Sequence, residues 1–308
     1  MRRLWLVAGV AAMVTVGSAA PAFADDFEDL LEAAAEADYA GRQIVVTFFD
    51  GQTALEIVEI EHAGSMMMVS TEGSESMIGA GKLSAGDGDG LTVSSWTSLQ
   101  MSDRYDVGAR NTVKRLDRPA HSIEVLEDGQ RRMRLVFDDT TGAPLVTEVF
   151  DGNGKLFRLT SMLEVDEVPR RIYSSPGHLS EEFEVLVPTA RHSMPAGAAG
   201  YQLADVYAGP DDSLQGFYSD GLFSFSLFAV DGSATFERFA DATVVEVQGL
   251  KYRRLVSPRE IWVTWKSAGT TYVLVGDLPP DHLDAVLSDL PKPGRRNLFS
   301  RLWSGLFG

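Results

Sequence analysis

The clearest alternation of apolar and polar residues lies in the middle of the chain, at Ala120–Asp166. The apolar residues Met133, Leu135 and Phe137 alternate there with Arg132 and Arg134, and a period of two is typical of a strand with one buried face. The segments Asp138–Gly142 and Asp151–Gly154 supply turn residues, because Asp and Thr bond their own backbone and Gly adopts positive φ. The stretch therefore predicts an antiparallel meander with one apolar and one polar face.

Before this meander the pattern predicts one helix and then a series of strands. Asp25–Tyr39 has apolar residues at helical spacing and carboxylates in its first turns, where the helix dipole favours them, and Gly41 is predicted to end the helix. Gly79–Gly90 is a predicted loop, and Leu91–Arg110 has no regular pattern. The predicted strands are Arg42–Phe49, Thr53–His62, Ser65–Ser70, Glu75–Ile78 and Asn111–Arg118.

A change of composition divides the chain into two domains. Val168–Ala199 is rich in Pro, Ser, Gly and charged residues, as connections between domains are. We therefore predict a first domain over residues 25–168, a linker over 169–199, a second domain over 200–291 and a tail over 292–308. The second domain ends in a predicted helix at Pro279–Leu290. Its predicted strands are Tyr201–Tyr207, Leu214–Tyr218, Leu222–Val230, Ala242–Gln248, Ile261–Trp265 and Thr271–Val275.

The N-terminus has the three parts of a secretory signal peptide. Arg2 and Arg3 precede the apolar run Leu4–Val16, and Ala22–Ala24 has the small-x-small pattern of a cleavage site. An uncleaved anchor is the alternative, but the apolar run is short and is followed by small residues and a proline. We predict cleavage after residue 24 and an exported protein, periplasmic or extracytoplasmic.

The C-terminal tail, Lys292–Gly308, combines arginines with apolar residues that fall on one helical face. This is the pattern of a basic amphipathic segment. Docking onto the protein's own surface and contact with a membrane or a partner are both open. The candidate contact residues are Phe299, Arg301, Leu302 and Trp303.

Composition limits the classes of partner. A hydrophobic fraction of 44% indicates a globular chain with a real core, and 308 residues suit two domains. The formal net charge of −17 becomes more negative still once Arg2 and Arg3 leave with the signal peptide. Such an acidic body repels nucleic acid and suits a basic partner. The absence of cysteine excludes disulfides, thiolate metal sites and a cysteine nucleophile.

Motifs for catalysis are missing from the sequence. The five histidines have no zinc-site spacing, and there is no nucleophile elbow, P-loop or dinucleotide fingerprint. Asp87–Gly90 lacks most ligands of a calcium loop, and Asp138–Asp139 is better explained as a turn than as an acid–base pair. We therefore predict a protein that is not an enzyme and has no cofactor.

Several apolar residues, although they fit a buried core first, are also candidates for lipid contact. The run Met66–Met68 fits a buried strand, but methionine also makes a soft lining for acyl chains. Trp96, Leu99 and Met101 follow the glycine-rich loop and suit a lid over the same cavity. The full candidate set is Met66, Met68, Trp96, Leu99, Met101, Leu135, Phe137 and Leu159.

The order of these features resembles the RseB/MucB family, extracytoplasmic regulators of sigma-E-type envelope stress pathways. The meander resembles the family's at Asp139, Thr141, Gly142, Pro144, Leu145, Asp151 and Gly154. The first helix matches at Leu31, Ala34, Tyr39 and Gly41, and the second domain at Asp220–Phe228, Trp265 and Tyr272–Asp277. The resemblance covers most of the region from Asp25 to Pro291, and the tail departs from it.

The resemblance implies an α+β fold in two parts. The first is a LolA-like curved antiparallel half-barrel sheet around a helix, and the second is a smaller C-terminal α+β domain. It also implies a regulator that binds the extracytoplasmic domain of a membrane anti-sigma factor and releases it when lipid or misassembled envelope material binds. A lipid or lipoprotein carrier is the alternative function, although simple carriers lack the second domain. A hydrolase has no motif to support it.

Overall fold

The computed structural model describes residues 23–63, 66–71, 74–79, 82–83, 103–166, 193–209, 213–231 and 239–294. Most of the predicted signal peptide, residues 80–81 and 84–90 of the predicted loop, most of the linker and the tail after Gly294 lie outside these residues. Within the predicted loop, Lys82–Leu83 form a short strand instead. Two helices are described, and neither is long and apolar enough to cross a membrane.

The first domain is an open antiparallel sheet with helix α1 (Phe23–Glu36) packed on one face. Its first strands are β1 (Tyr39–Phe49), β2 (Gln52–Ala63), β3 (Met66–Thr71), β4 (Ser74–Gly79) and β5 (Lys82–Leu83). The rest are β6 (Tyr105–Val107), β7 (Asn111–Arg115), β8 (Arg118–Glu127), β9 (Gln130–Asp138), β10 (Pro144–Phe150) and β11 (Leu156–Asp166). The strand order is β5-β4-β3-β2-β1-β11-β10-β9-β8-β6, and β7 also pairs with β8.

The second domain is a separate antiparallel sheet of eight described strands with helix α2 (Pro280–Asp289) against it. Its strands are β12 (Gly197–Ala198), β13 (Tyr201–Ala208), β14 (Leu214–Ser219), β15 (Ser224–Asp231), β16 (Thr243–Val247), β17 (Leu250–Val256), β18 (Ile261–Ser267) and β19 (Thr270–Gly276). The strand order is β12-β13-β14-β15-β19-β18-β17-β16. Two sheets and two helices of this kind confirm the predicted α+β class.

Tight two-residue turns set the register of several hairpins. Asp50–Gly51 has φ values of 49° and 76°, and Gln248–Gly249 has 49° and 78°. Positive φ at both central residues belongs to the type I′ turn, whose twist matches that of antiparallel strands. A type I′ Asp–Gly turn therefore joins β1 to β2.

The predicted end of the first helix is wrong. α1 ends at Glu36, and Tyr39 and Gly41 belong to β1. Gly41 is needed because β11 passes too close for a side chain: its Cβ would lie 2.1 Å from the carbonyl oxygen of Glu164. A glycine after an apolar helical stripe therefore marked a close approach of two strands rather than a helix cap.

Three further boundaries need correction. The predicted linker runs too far, because β12 already pairs with β13 across the Ala199–Gly200 turn. The predicted strand Asn111–Arg118 is two strands, since Leu116–Asp117 turns with φ values of 51° and 59°. Strand β17 was not predicted, because its Lys and Arg residues obscure the alternation of apolar side chains.

The largest of the apolar core clusters among the described residues contains residues of both domains. Phe27 of α1 is 1% exposed and belongs to the same buried cluster as Phe225 of β15, which is fully buried. The first domain contributes Phe27, Phe49, Ile123, Val125, Leu135 and Phe157, and the second contributes Tyr201, Tyr218, Phe223, Phe225, Leu283 and Leu287. We call this cluster the shared core. Because it is continuous, the two domains form one packed unit.

Candidate functional site: the domain interface and the open sheet face

Charged side chains meet at the edge of the shared core, where β8 ends against α2. Glu127 accepts hydrogen bonds from Arg104 Nε, at 2.8 Å, and from Arg132 Nε. Its Oε2 also lies 3.0 Å from His282 Nε2. Glu127, Arg132 and His282 are all buried. Arg104 and Arg132 belong to the first domain and His282 to the second, so Glu127 joins the two domains.

Two aspartates of the second domain complete this group. Asp220 accepts a hydrogen bond from the Tyr105 hydroxyl at 2.6 Å and is fixed in its own turn by the amides of Leu222 and Phe223. Asp281, in the first turn of α2, accepts a hydrogen bond from Arg132 at 2.7 Å. We call the whole group the interface cluster: Arg104, Tyr105, Glu127, Arg132, Tyr201, Asp220, Asp281 and His282.

Each carboxylate of the cluster is paired with at least one guanidinium group. Three carboxylates face two guanidinium groups. His282 lies between Glu127 and Tyr201, and the distance from His282 Nδ1 to the Tyr201 hydroxyl is 2.8 Å. Burial by itself raises the pKa of Glu127, but the hydrogen bond and charge of His282 and the charges of both arginines outweigh it and lower this pKa. The pKa of Asp281 is lowered in the same way, mainly by Arg132.

These pKa shifts predict that the fold loses stability in acid. A carboxyl whose pKa is lower when folded than when unfolded stabilises the fold above its unfolded pKa, and this contribution disappears as the pH falls through the folded pKa. We expect the free energy of unfolding to decrease below about pH 4.5, as measured by urea denaturation at successive pH values. The variant Glu127→Gln should show a shallower decrease, and an equal decrease would contradict this account.

A second set of contacts fixes the far end of the interface. Thr47 Oγ1 donates to the carbonyl oxygen of Pro258 at 2.7 Å, and Arg259 pairs with Glu56 at 3.1 Å. Arg254 of β17 pairs with Asp50 in the turn after β1. The covered face of β1 and β2 is therefore held against the second domain at several points.

The opposite face of β1, β2 and β11 carries apolar side chains that are open to solvent. Side chains of directly paired residues share a face, and Val46 pairs with both Leu55 and Leu159. Phe48 is 39% exposed, Leu55 57% and Ile57 49%. We call this the open apolar face: Phe48, Leu55 and Ile57 are exposed, Ile44 and Leu159 are partly buried, and Val46 is buried. Exposed apolar side chains that are neighbours on one face are typical of a binding surface.

The predicted lipid-contact residues fall on different sides of the sheet. Leu135 and Phe137 are 0% and 1% exposed in the shared core and are therefore not open to a ligand in this structure. Leu159 lies on the open apolar face. Met68 pairs with Glu61 and is buried against Ala63, and Met66 pairs with Ala63 through its backbone.

The remaining predicted site residues lie outside the described part of the chain. They are Trp96, Leu99 and Met101 of the predicted lid, and Phe299, Arg301, Leu302 and Trp303 of the tail. Lipid and membrane contact by these residues stays a prediction.

The paired aspartates at the end of β9 are turn residues, as the sequence indicated. Asp138 Oδ1 accepts hydrogen bonds from the amides of Thr140 and Thr141 at 2.8 and 2.9 Å, and Asp138 is buried against Arg118. Asp139 instead contacts His121 Nδ1 at 2.5 Å. Among the described residues, no group of three or more His, Asp or Glu could hold a metal ion.

Sequence reasoning missed the interface cluster entirely. Its members come from separate parts of the chain, and Glu127 and His282 are 155 residues apart. The only local signal is an acidic residue in the first turn of α2, which helix dipoles favour in any case.

Comparison with models of protein families finds no match, and comparison with curated proteins finds none either. Solved structures do match. Pseudomonas aeruginosa MucB in its complex with MucA is 17% identical, with a TM-score of 0.50, and the match covers 88% of this chain and 99% of that chain. A MucB complex with MucA(peri) is 19% identical at a TM-score of 0.50, covering 88% and 100%.

MucB on its own is also similar, with 18% identity, a TM-score of 0.50 and coverage of 89% of this chain and 99% of that chain. At this level of identity the likeness concerns the fold. It includes both domains, since the match spans nearly the whole of MucB. The chain therefore has the two-domain fold of MucB, and its resemblance to the RseB/MucB family is confirmed as a likeness of fold.

Proposed function

We propose that this protein is an extracytoplasmic regulator of sigma-factor signalling that binds the extracytoplasmic domain of a membrane anti-sigma factor. The main support is the extent of the match, because 99–100% of MucB is covered and MucB is solved in complex with MucA(peri). A partner of this kind suits the formal net charge of −17 if its binding segment is basic.

The joining of the domains also supports a regulator over a carrier. A single-domain carrier needs nothing beyond its own sheet, whereas here the shared core and the interface cluster bind a second sheet to the first. These contacts give the two domains the physical connection that a regulator needs if one ligand is to affect the binding of another.

Lipid is the proposed signal, and the open apolar face is the proposed place of contact. Leu55 and Ile57 are about half exposed, and Phe48 is exposed on the same face. Exposing large apolar side chains in this way does not stabilise a fold, so a binding role is the better explanation. By linkage, a lipid that weakens partner binding by some factor is itself bound more weakly by the same factor when the partner is present.

Recovery of the partner tests the proposed function. The mature protein, immobilised, is exposed to envelope extract, and bound proteins and lipids are identified by mass spectrometry. We expect a single-span anti-sigma factor, whose extracytoplasmic domain should then bind in purified form. Recovery of lipid or lipoprotein alone would instead favour the carrier.

The lipid surface is tested by Ile57→Glu. A carboxylate in the open apolar face must be desolvated when an acyl chain covers it, so we expect binding of a fluorescent fatty acid to weaken about tenfold or more. Val244→Glu is the matched control, because Val244 is equally aliphatic, 62% exposed and in the other domain. Equal binding by Ile57→Glu and the unaltered protein would place the lipid elsewhere.

A further inference from the structure

Strand β16 is the last strand of the second sheet among the described residues, and no described strand pairs with its outer side. It pairs with β17 from Thr243↔Arg254 to Val247↔Leu250 without a register shift, and the sheet order of the described strands stops there. The five residues are TVVEV, four of them β-branched, a composition that favours extended backbone.

The turn after β16 fixes which backbone groups face outward. In a two-residue hairpin the flanking residues, here Val247 and Leu250, form a hydrogen-bonded pair, and such pairs alternate along the ladder. Val245 and Thr243 therefore bond to β17, while the N–H and C=O groups of Val244 and Glu246 point away from the sheet. Among the described residues, no backbone hydrogen bond outside the strand ladders involves either of them.

This edge has few of the devices that protect edge strands from pairing. Edges are usually shielded by proline, bulges, inward charges or a covering segment. β16 has no proline and no bulge, and its outward Val244 is 62% exposed. Val245 and Val247 pack against the shared core, so the strand is held firmly from inside.

We propose that β16 is a docking edge at which an extended segment of the anti-sigma partner adds a further strand to the second sheet. The inference rests on the proposed function and specifies how the partner binds. Main-chain groups of Val244 and Glu246 supply the hydrogen bonds, and side chains of the added strand supply specificity.

The chemistry of the edge describes the segment. Glu246 is exposed and has Lys251 of β17 opposite it on one side, and a Lys or Arg opposite it on the added strand is favoured on the other side for the same reason. Val244 favours a β-branched or aromatic residue opposite. A second copy of this chain fits less well, because two bodies that each carry a formal charge of −17 repel each other.

The test is the pair Val244→Pro and Val244→Ala. Both remove the exposed valine side chain, but only proline removes the outward N–H, and no ladder bond to β17 is lost. The probe is the purified extracytoplasmic domain of the anti-sigma factor recovered above, titrated calorimetrically. We expect proline to weaken binding at least tenfold and alanine less than threefold, with unchanged circular dichroism for both.

Amide hydrogen exchange on the unaltered protein gives an independent reading. Partner binding should slow exchange of the Val244 and Glu246 amides at least tenfold. If the anti-sigma domain binds but amide exchange at β16 does not change, the docking edge is overturned and the proposed function stands. The same holds if Val244→Pro and Val244→Ala bind the anti-sigma domain equally well. Failure of the unaltered protein to bind any anti-sigma domain overturns the proposed function and with it this partner. A dimer that Val244→Pro dissociates would assign the edge to a second copy.

Discussion

Replacing Glu127 with glutamine is expected to lower the free energy of unfolding by about 3–5 kcal/mol. The carboxylate faces Arg104, Arg132 and His282 in a buried position, and an uncharged amide leaves the two guanidinium groups without their central counter-ion. Asp220 and Asp281 still contact the arginines, so the loss is that of one buried partner rather than of the whole cluster.

Urea denaturation measures this change, and Glu124→Gln is the matched control. Glu124 lies on the same strand and pairs with Arg131, but both side chains are substantially exposed. An exposed pair contributes at most about 1 kcal/mol, so this variant should unfold close to the unaltered protein. A loss for Glu127→Gln as small as the one for Glu124→Gln would show that the charge of Glu127 adds no stability to the interface cluster.

The second large effect is expected from Phe225→Asp, which should unfold the second domain and abolish partner binding. Phe225 is fully buried, stacks on Tyr218 at 4.7 Å between ring centroids and meets Tyr201 edge-on at 5.4 Å. Truncation of such a ring alone costs about 3–5 kcal/mol, and the new carboxylate has no partner in this apolar site.

Near-ultraviolet circular dichroism and calorimetric titration with the anti-sigma domain are the measurements. Gln202→Asp introduces the same charge at an exposed site of the same domain, far from β16 in the sheet order, and should retain a folded spectrum and partner binding. An intact spectrum for Phe225→Asp would contradict the continuity of the shared core.

Local chemistry explains why most strands could be predicted. Turn residues such as Asp50–Gly51 announce a hairpin wherever they separate two apolar runs, and the second helix follows from Pro279–Pro280. Strand β17 was not predicted because its arginines make tertiary contacts that the sequence does not reveal. Arg254 pairs with Asp50, and Arg253 donates a hydrogen bond to the carbonyl oxygen of Phe239. A polar residue used in tertiary contact looks, in sequence, like a solvent-exposed one.

The candidate site was much less predictable than the fold. The family resemblance indicated the two-domain arrangement, but the interface cluster needs Glu127, Arg132 and Asp281 to meet across the domain boundary. The open apolar face was missed because Leu55 and Ile57 fit a buried strand by their pattern, and burial is decided by what covers that face.

The pairing of β1 with β11 has a consequence for the order of folding. Thr47 and Arg158 are neighbours in this pair although 111 residues separate them in sequence. The hairpin of β1 and β2 can close within microseconds, but the central pair must wait for the whole meander and for closure of a long loop. Until β11 arrives, β1 presents an unpaired edge beside exposed aliphatic side chains. That interval, rather than the native state, is when this chain is most exposed to aggregation.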